Sequence, residues 1–271
     1  MAKIFAMNGT TRESLPPMVY IVGAGPGDPE LLTVKAQKLL TQADVILFAD
    51  SLIPPQMLVG VRQDAEIIPT ANLTLEDILP VMIDRVQKGR SVVRLHSGDP
   101  SLYGAIYEQI RQLLEMGIDL EIVPGISAFQ DAAAKLKLEL TIPELVQTII
   151  LTRVSGRATG VPPSEELASL AAHQASLCLY LSARHVATAQ DKLIAHYPPQ
   201  TQVAICYRLG WPDEKIRVVP LHQMAEVTQQ ENLTRTTLYL ITPALGANPT
   251  ARSSLYHPQH SHLFRQNVKF C

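Results

Sequence analysis

Val92-Val93-Arg94-Leu95-His96-Ser97-Gly98-Asp99-Pro100-Ser101-Leu102-Tyr103-Gly104 is the stretch whose reading decides the fold. Its first five residues are mostly apolar and partly β-branched, long enough for a buried strand and too short for a helix. Ser-Gly-Asp-Pro then breaks the run, with Gly98 free to take positive φ and Pro100 fixing its own. From Tyr103 onward the spacing of Ile106, Ile110, Leu113 and Leu114 is helical. A strand, a tight polar turn and a helix start is the arrangement that binds small molecules at the carboxyl edge of a parallel sheet. Asp99 sits in that turn and is the residue placed to face a ligand.

Outward from there, strands and helices alternate. Met18–Val22 reads as a first strand, followed by Gly23-Ala24-Gly25-Pro26-Gly27-Asp28-Pro29, where Asp28 is suited to cap a helix burying Leu32, Ala36, Leu39, Leu40 and Ala43. Val45–Ala49 is a second buried strand, ending at Asp50-Ser51, and Ile67-Ile68 mark a short third one. Thr74 with Asp77 forms a capping box for a helix with Ile78, Met82, Ile83 and Val86 inward, bent at Pro80 and ended by Gly89. After the helix that reaches Met116 come a strand at Leu120–Val123, the turn Pro124–Ser127, and a helix to about Lys137. This half is a parallel α/β sheet.

A connector, Leu138–Leu145, leads to a second α/β run: a strand at Thr148–Leu151, the polar loop Arg153–Pro163, a helix from Ser164 and a strand at Leu177–Leu181. A helix with Val186, Leu193 and Ile194, a strand at Gln202–Tyr207, an antiparallel return at Lys215–Val219 and a last strand at Leu238–Ile241 complete it. The expected organisation is an arm (1–17), a first α/β domain (18–140), a second with a mixed sheet (141–245) and a tail (246–271).

The chain has 271 residues, 46% hydrophobic and 18% charged, and a formal charge of -2. These values fit a globular protein of one large or two medium domains and argue against a broad nucleic-acid surface. No run of eighteen apolar residues is present, so no membrane helix is expected. The first seventeen residues lack the apolar core of a signal peptide. Cys178, Cys206 and Cys271 form no CxxC pair and no even disulfide set, which points to a reducing, cytoplasmic compartment.

Gly23-x-Gly25-x-Gly27 invites a dinucleotide reading, with Asp50 where a ribose-binding acid would lie. The last glycine of GxGxxG falls on Asp28, whose carboxylate would repel a pyrophosphate. An NAD(P)-dependent dehydrogenase and a plain chain-reversing turn both stand as readings of that loop. No phosphate loop, HExxH or GxSxG is present, and no Ser, His or Cys is placed as an obvious activated nucleophile. Such a chain suits transfer of a pre-activated group onto a nucleophile of the substrate. His96 could handle a proton but reads better as a packed residue, and Tyr103 could touch a bound ligand but reads better as core at a helix start. His257, His260, His262 and Cys271 lack any recognisable metal scaffold, so no metal site is expected.

Taken together, Val19–Thr33 (VYIVGAGPGDPELLT), Leu95–Gly104 (LHSGDPSLYG), Val123–Phe129 (VPGISAF), Ile142–Gly156 (IPELVQTIILTRVSG) and Tyr207–Glu214 (YRLGWPDE) resemble the tetrapyrrole methylases. Within them, Pro143–Arg153 and the Trp-Pro-Asp-Glu turn are most similar to the members that methylate ring carbon 11 of precorrin-4 or cobalt-precorrin-4 in cobalamin biosynthesis. The resemblance implies two α/β domains with the active site in the cleft between them, in a homodimer, and S-adenosylmethionine as donor, leaving S-adenosylhomocysteine. It carries donor contacts to Pro26, Gly98, Asp99, Leu102, Ser127, Ala128, Leu181, Tyr207, Arg208 and Thr237. Asp99 is the candidate for favouring the sulfonium or accepting the donor's hydrogen bonds. The tetrapyrrole's many carboxylates need local cations, for which Arg153, Arg157, Arg184, Arg208 and Lys215 are candidates. Asp28, Asp50 and Ser51 complete the substrate-binding set. Asp50-Ser51 departs from the Gly-Ser of many members and sets an extra carboxylate there. Other targets within the same family, a different ring carbon, rRNA or a protein, stay open as alternatives.

Overall fold

Val92–His96 is β4, and all five of its residues are buried, because it pairs on both sides and is covered on both faces. The computed structural model describes residues 14–155, 160–247 and 261. In the first half, β1 (Val19–Gly23), α1 (Val34–Gln42), β2 (Val45–Phe48), β3 (Glu66–Pro69), α2 (Leu75–Gln87), β4, α3 (Ile106–Glu115) and β5 (Leu120–Val123) follow one another. The sheet order is β3-β2-β4-β1-β5, with every pairing parallel.

Alternation along the strands sorts two cores. Tyr20, Val22, Ile46, Phe48, Val93 and Leu95 pack on Ala36, Leu39 and Leu40 of α1. Val19, Ile21, Val45, Leu47 and Val92 pack on Ile78, Leu79 and Met82 of α2 and Leu113 of α3. Burying each such Val, Leu or Ile contributes about 1.5–3 kcal/mol. The chain therefore leaves β1 toward one face and the adjacent β4 toward the other. Divergent exits from neighbouring parallel strands open a crevice at their carboxyl ends.

Local chemistry explains the helix starts. Thr74 and Asp77 form the expected capping box of α2, and Pro80 lies within that helix without ending it. Asp28 caps only a three-residue 3-10 turn, Pro29–Leu31, by accepting from Glu30 N–H at 2.9 Å. Leu32 and Thr33 are extended, and Thr33 is the true cap of α1, accepting from Ala36 N–H at 3.1 Å.

The chain divides into two compact units between Ser127 and Ala128, not at the expected 140/141. The second unit contains α4 (Ala128–Lys135), β6 (Ile149–Arg153), α5 (Leu167–Ala171), β7 (Ser176–Tyr180), α6 (Val186–Ile194), β8 (Gln202–Tyr207), β9 (Lys215–Pro220), α7 (Met224–Gln230) and β10 (Thr237–Ile241). Its sheet order is β6-β7-β10-β8-β9, mixed as expected, with only β6 and β7 parallel. The boundary shifts because Ala132, with Phe129, Ala133 and Leu136, packs on Cys178, Ala204, Cys206, Leu238 and Leu240 of this second sheet. The helix α4 thus belongs to the sheet that it covers. Residues of α5, α6 and α7 cover the opposite face. The helix expected from Ser164 is a 3-10 turn, Pro163–Glu165, with α5 starting at Leu167.

Candidate functional site

Three loops of the first unit meet at the carboxyl ends of β1, β4 and β5. Gly25 and Gly98 exchange backbone hydrogen bonds, Gly25 N–H to Gly98 O at 3.2 Å and Gly98 N–H to Gly25 O at 2.8 Å. Gly25 (φ +73°) and Gly98 (φ +65°) hold conformations open to glycine. Gly23 and Gly125 are required for a different reason. A Cβ on Gly125 would lie 2.2 Å from Gly98 O and 2.8 Å from Gly23 Cα, and one on Gly23 would lie 2.6 Å from Gly125 Cα. Backbone stands against backbone here, with no room for a methyl group.

Asp99 locks this junction. Its Oδ2 accepts from Gly125 N–H at 2.9 Å, and its Oδ1 accepts from Ser101 N–H at 2.8 Å and from the Ser101 hydroxyl. Partial burial works against ionisation, but these bonds from Ser101 and Gly125 outweigh it and hold the carboxyl below the usual Asp value. Asp99 is therefore a half-buried carboxylate tying the β4 loop to the β5 loop. The bond to Ser101 is local to the turn, as for any Asp that satisfies its own backbone, whereas the bond from Gly125, 26 residues on, exists only once two distant loops meet.

Pro26, Asp28, Asp50, Ser51, Gly98, Asp99, Leu102 and Ser127 all lie on loops at this one edge of the first sheet. Pro26 and Ser127 are buried, whereas Asp50 and Ser51 are exposed. Asp50 accepts from Ala71 N–H at 2.8 Å, joining the loops after β2 and β3. The dinucleotide reading fares poorly: Gly25 N–H is committed to Gly98 O, and α1 begins well past the glycine loop. His96 is 8% exposed and its pKa is pushed down to about 3, first by burial and then by the Arg94 charge. It is a neutral, packed imidazole, with Nε2 unpartnered. Tyr103 is not core: it is 41% exposed, at φ +58°, ahead of α3.

In the second unit the register gathers another set. Thr237 pairs with Tyr207, and Tyr239 with Leu179, so Leu181 falls beside Thr237 at the same edge. Arg153 pairs with Tyr180, and Lys215 with Tyr207. Arg153, Leu181, Thr237, Tyr207, Arg208 and Lys215 therefore occupy one edge of the second sheet. Ala128 opens α4, on a face of that sheet. Leu181 (φ +50°), Arg208 (φ +50°) and Thr236 (φ +51°) are non-glycine residues in the left-handed region. Each such residue costs on the order of 1–3 kcal/mol, and strain of this kind concentrates at functional sites.

The cations on this edge are differently engaged. Arg208 lies 4.0 Å over the Trp211 ring and pairs with Asp213. Lys215 is 3.6 Å from Glu231, and Arg184 is exposed on the 3-10 turn Ala183–His185. Arg157, His257, His260, His262 and Cys271 lie outside the described residues. Among the described residues, no group of three His, Cys, Asp or Glu side chains could hold a metal, and no helix is long and apolar enough to cross a membrane.

Known proteins share this architecture. The chain is similar to a precorrin-4 C(11)-methyltransferase of Pseudomonas aeruginosa, 46% identical over 247 residues that cover 91% of this chain and 98% of the relative. A solved cobalt precorrin-4 methyltransferase superposes with a TM-score of 0.82 at 41% identity, covering 85% of this chain and 97% of the other. The uroporphyrin-III C-methyl transferase of Thermus thermophilus, solved in complex with S-adenyl homocysteine, gives 0.71 at 26% identity over 84% of this chain and 98% of the other. Residues 18–225 match the family of tetrapyrrole (corrin/porphyrin) methylases. With two α/β units and a glycine junction at the edge of the parallel sheet, the chain belongs to the tetrapyrrole methylases.

Proposed function

We propose that this protein transfers a methyl group from S-adenosylmethionine to ring carbon 11 of precorrin-4 or cobalt-precorrin-4, in the building of the corrin ring. The observation that carries the reading is the near full-length likeness, 46% over 98% of the relative, to a precorrin-4 C(11)-methyltransferase. The donor contacts carried over are Pro26, Gly98, Asp99, Leu102, Ser127 and Ala128, with a second set at Leu181, Tyr207, Arg208 and Thr237.

The first-unit edge fits a sulfonium donor. Asp99, ionised and held by Ser101 and Gly125, puts negative charge beside buried backbone, and such charge favours a cationic ligand. The donor brings an already activated methyl group, so the chain's task is alignment rather than acid–base chemistry. The backbone approach of Gly23 to Gly125 and the paired bonds of Gly25 and Gly98 hold the three loops together at the edge where that alignment is proposed to occur. Arg153 and Arg184, with Arg157, supply planar forks for the substrate's carboxylates, and Asp28, Asp50 and Ser51 complete the proposed substrate contacts. The chain is taken to act in the cytoplasm as a homodimer, and sedimentation checks the dimer.

The test is turnover with S-adenosylmethionine against precorrin-4, cobalt-precorrin-4 and uroporphyrinogen III in parallel. A precorrin-4 form is expected to be the preferred acceptor. Preference for uroporphyrinogen III would move the target elsewhere on the macrocycle. Binding of NADH in place of S-adenosylhomocysteine would end the reading.

A further inference from the structure

Arg94 is the residue of the first unit that the fold alone does not explain. It stands in the middle of β4, in register with Ile21 and Leu47, on the face covered by α2 and α3. It is 7% exposed. Its Nη1 donates to Thr70 Oγ1 at 2.9 Å, while Nε is buried without a partner. Thr70 in turn donates to Phe48 O at 3.0 Å, so it can only accept from the arginine. No ion pair to Arg94 forms among the described residues, and burial alone, unopposed by any carboxylate, pulls its pKa down to about 10.

A guanidinium buried beside apolar side chains with one neutral hydrogen bond is a net destabilising choice. Methionine or leucine would serve packing better. Two residues on, along the same face, His96 buries an unpartnered Nε2. On α3, Gln109 buries an unpartnered Oε1. The guanidinium is steered by Thr70 to the carboxyl end of β2 and β3, where the loops that begin at Ala49 and Thr70 are joined by the bond from Ala71 N–H to Asp50. A buried cation without a counter-ion among the described residues, aimed toward the carboxyl edge of a sheet, has unused donors suited to an anion.

We propose that Arg94, with the His96 ring beside it, is the seat of one side-chain carboxylate of the tetrapyrrole, entering between the loops after β2 and β3. The guanidinium donates to that carboxylate while Thr70 keeps its plane fixed. This inference rests on the methyltransferase reading above and adds to it a substrate-binding residue in the core of the parallel sheet.

The test compares wild type with Arg94→Met, which keeps length and packing, and with Arg94→Gln, which keeps a donor without charge. Affinity for S-adenosylhomocysteine is expected to stay unchanged, and the thermal midpoint without substrate to stay equal or rise. The KM for precorrin-4 is expected to rise about tenfold or more in both, the weight of a hydrogen-bonded buried charge pair. Stabilisation of the fold by added precorrin-4 should shrink in parallel. An unchanged KM in a folded Arg94→Met overturns the carboxylate seat while leaving the methyltransferase reading intact. Failure of both variants to fold, or a midpoint lowered in both, assigns Arg94 to architecture and also overturns it. A wild type that neither binds nor methylates precorrin-4 removes the functional reading itself, and the seat with it.

Discussion

Gly125→Ala probes the glycine junction with the smallest available change. The new Cβ would sit 2.2 Å from Gly98 O, 2.8 Å from Gly23 Cα and 2.9 Å from Gly23 C. Ordinary contact begins at about 3.4–4.0 Å, so the β5 loop must retreat by roughly 1 Å or more. All the opposing atoms are backbone, which cannot rotate aside as a side chain can. Overpacking of this kind costs about 1–3 kcal/mol, and retreat also stretches the 2.9 Å bond from Gly125 N–H to Asp99. The expected loss is about 2–3 kcal/mol, which lowers the thermal midpoint by roughly 4–6 °C. Gly117→Ala is the control: at φ +69° it is strained, but its Cβ meets nothing within 4 Å, so it should cost about 1 kcal/mol. Calorimetric titration with S-adenosylhomocysteine then separates the two. Gly125→Ala should lose donor affinity at least tenfold (about 1.4 kcal/mol), while Gly117→Ala should bind as wild type. Wild-type donor affinity in Gly125→Ala would refute the idea that this junction positions the donor.

Three further outcomes are expected. Leu181→Gly should raise stability by about 1 kcal/mol by relieving a left-handed leucine that is 63% exposed, yet weaken donor binding; thermal melts and titration read both, and unchanged affinity would detach Leu181 from the donor. Asp99→Asn sets an amide NH2 against the N–H groups of Gly125 or Ser101 and should cut donor affinity; in wild type, where those bonds keep Asp99 ionised, affinity should hold across about pH 5–8 and fall only in stronger acid. Glu66, held by Arg85 in a bidentate pair at 2.6 and 2.9 Å and also by Arg90, has its pKa lowered to about 2 from an ordinary 4.5. Its contribution is present above pH 4.5 and lost as pH falls toward 2, so Glu66→Gln should cost about 1–2 kcal/mol at pH 7 after solvent screening and flatten acid unfolding; an equally steep acid transition would count against the pairing.

Local chemistry made much of the fold legible. The apolar run ending in Ser-Gly-Asp-Pro gave a central strand and a ligand loop, and Thr74 with Asp77 gave a helix start. Where two caps competed within five residues, the nearer one misled: Asp28 took a 3-10 turn and Thr33 the helix. The helix α7 went unread because it is seven residues long and its inward residues, Met224, Ala225, Val227 and Thr228, lie among glutamines and a glutamate without a clear helical repeat. The boundary moved because α4 carries an apolar stripe that fits either neighbour in sequence, and only the packing on Ala204, Cys206 and Leu238 decides which. Of the positions carried over by resemblance, all but Ala128 lie at two sheet edges, one in each unit, and Ala128 opens α4 on a face of the second sheet. The local bond that Asp99 accepts within its own turn, from Ser101, was legible, but its bond from Gly125 and the buried isolation of Arg94 were invisible, because both depend on segments more than twenty residues apart in the chain.

The most direct measurement is incubation of the full chain with precorrin-4, or its cobalt form, and S-adenosylmethionine carrying a ¹³C methyl group, followed by NMR of the recovered macrocycle. A single labelled methyl on ring carbon 11, formed together with S-adenosylhomocysteine, is the predicted result. Label on another carbon, or none transferred by folded protein that binds both compounds, would contradict the account.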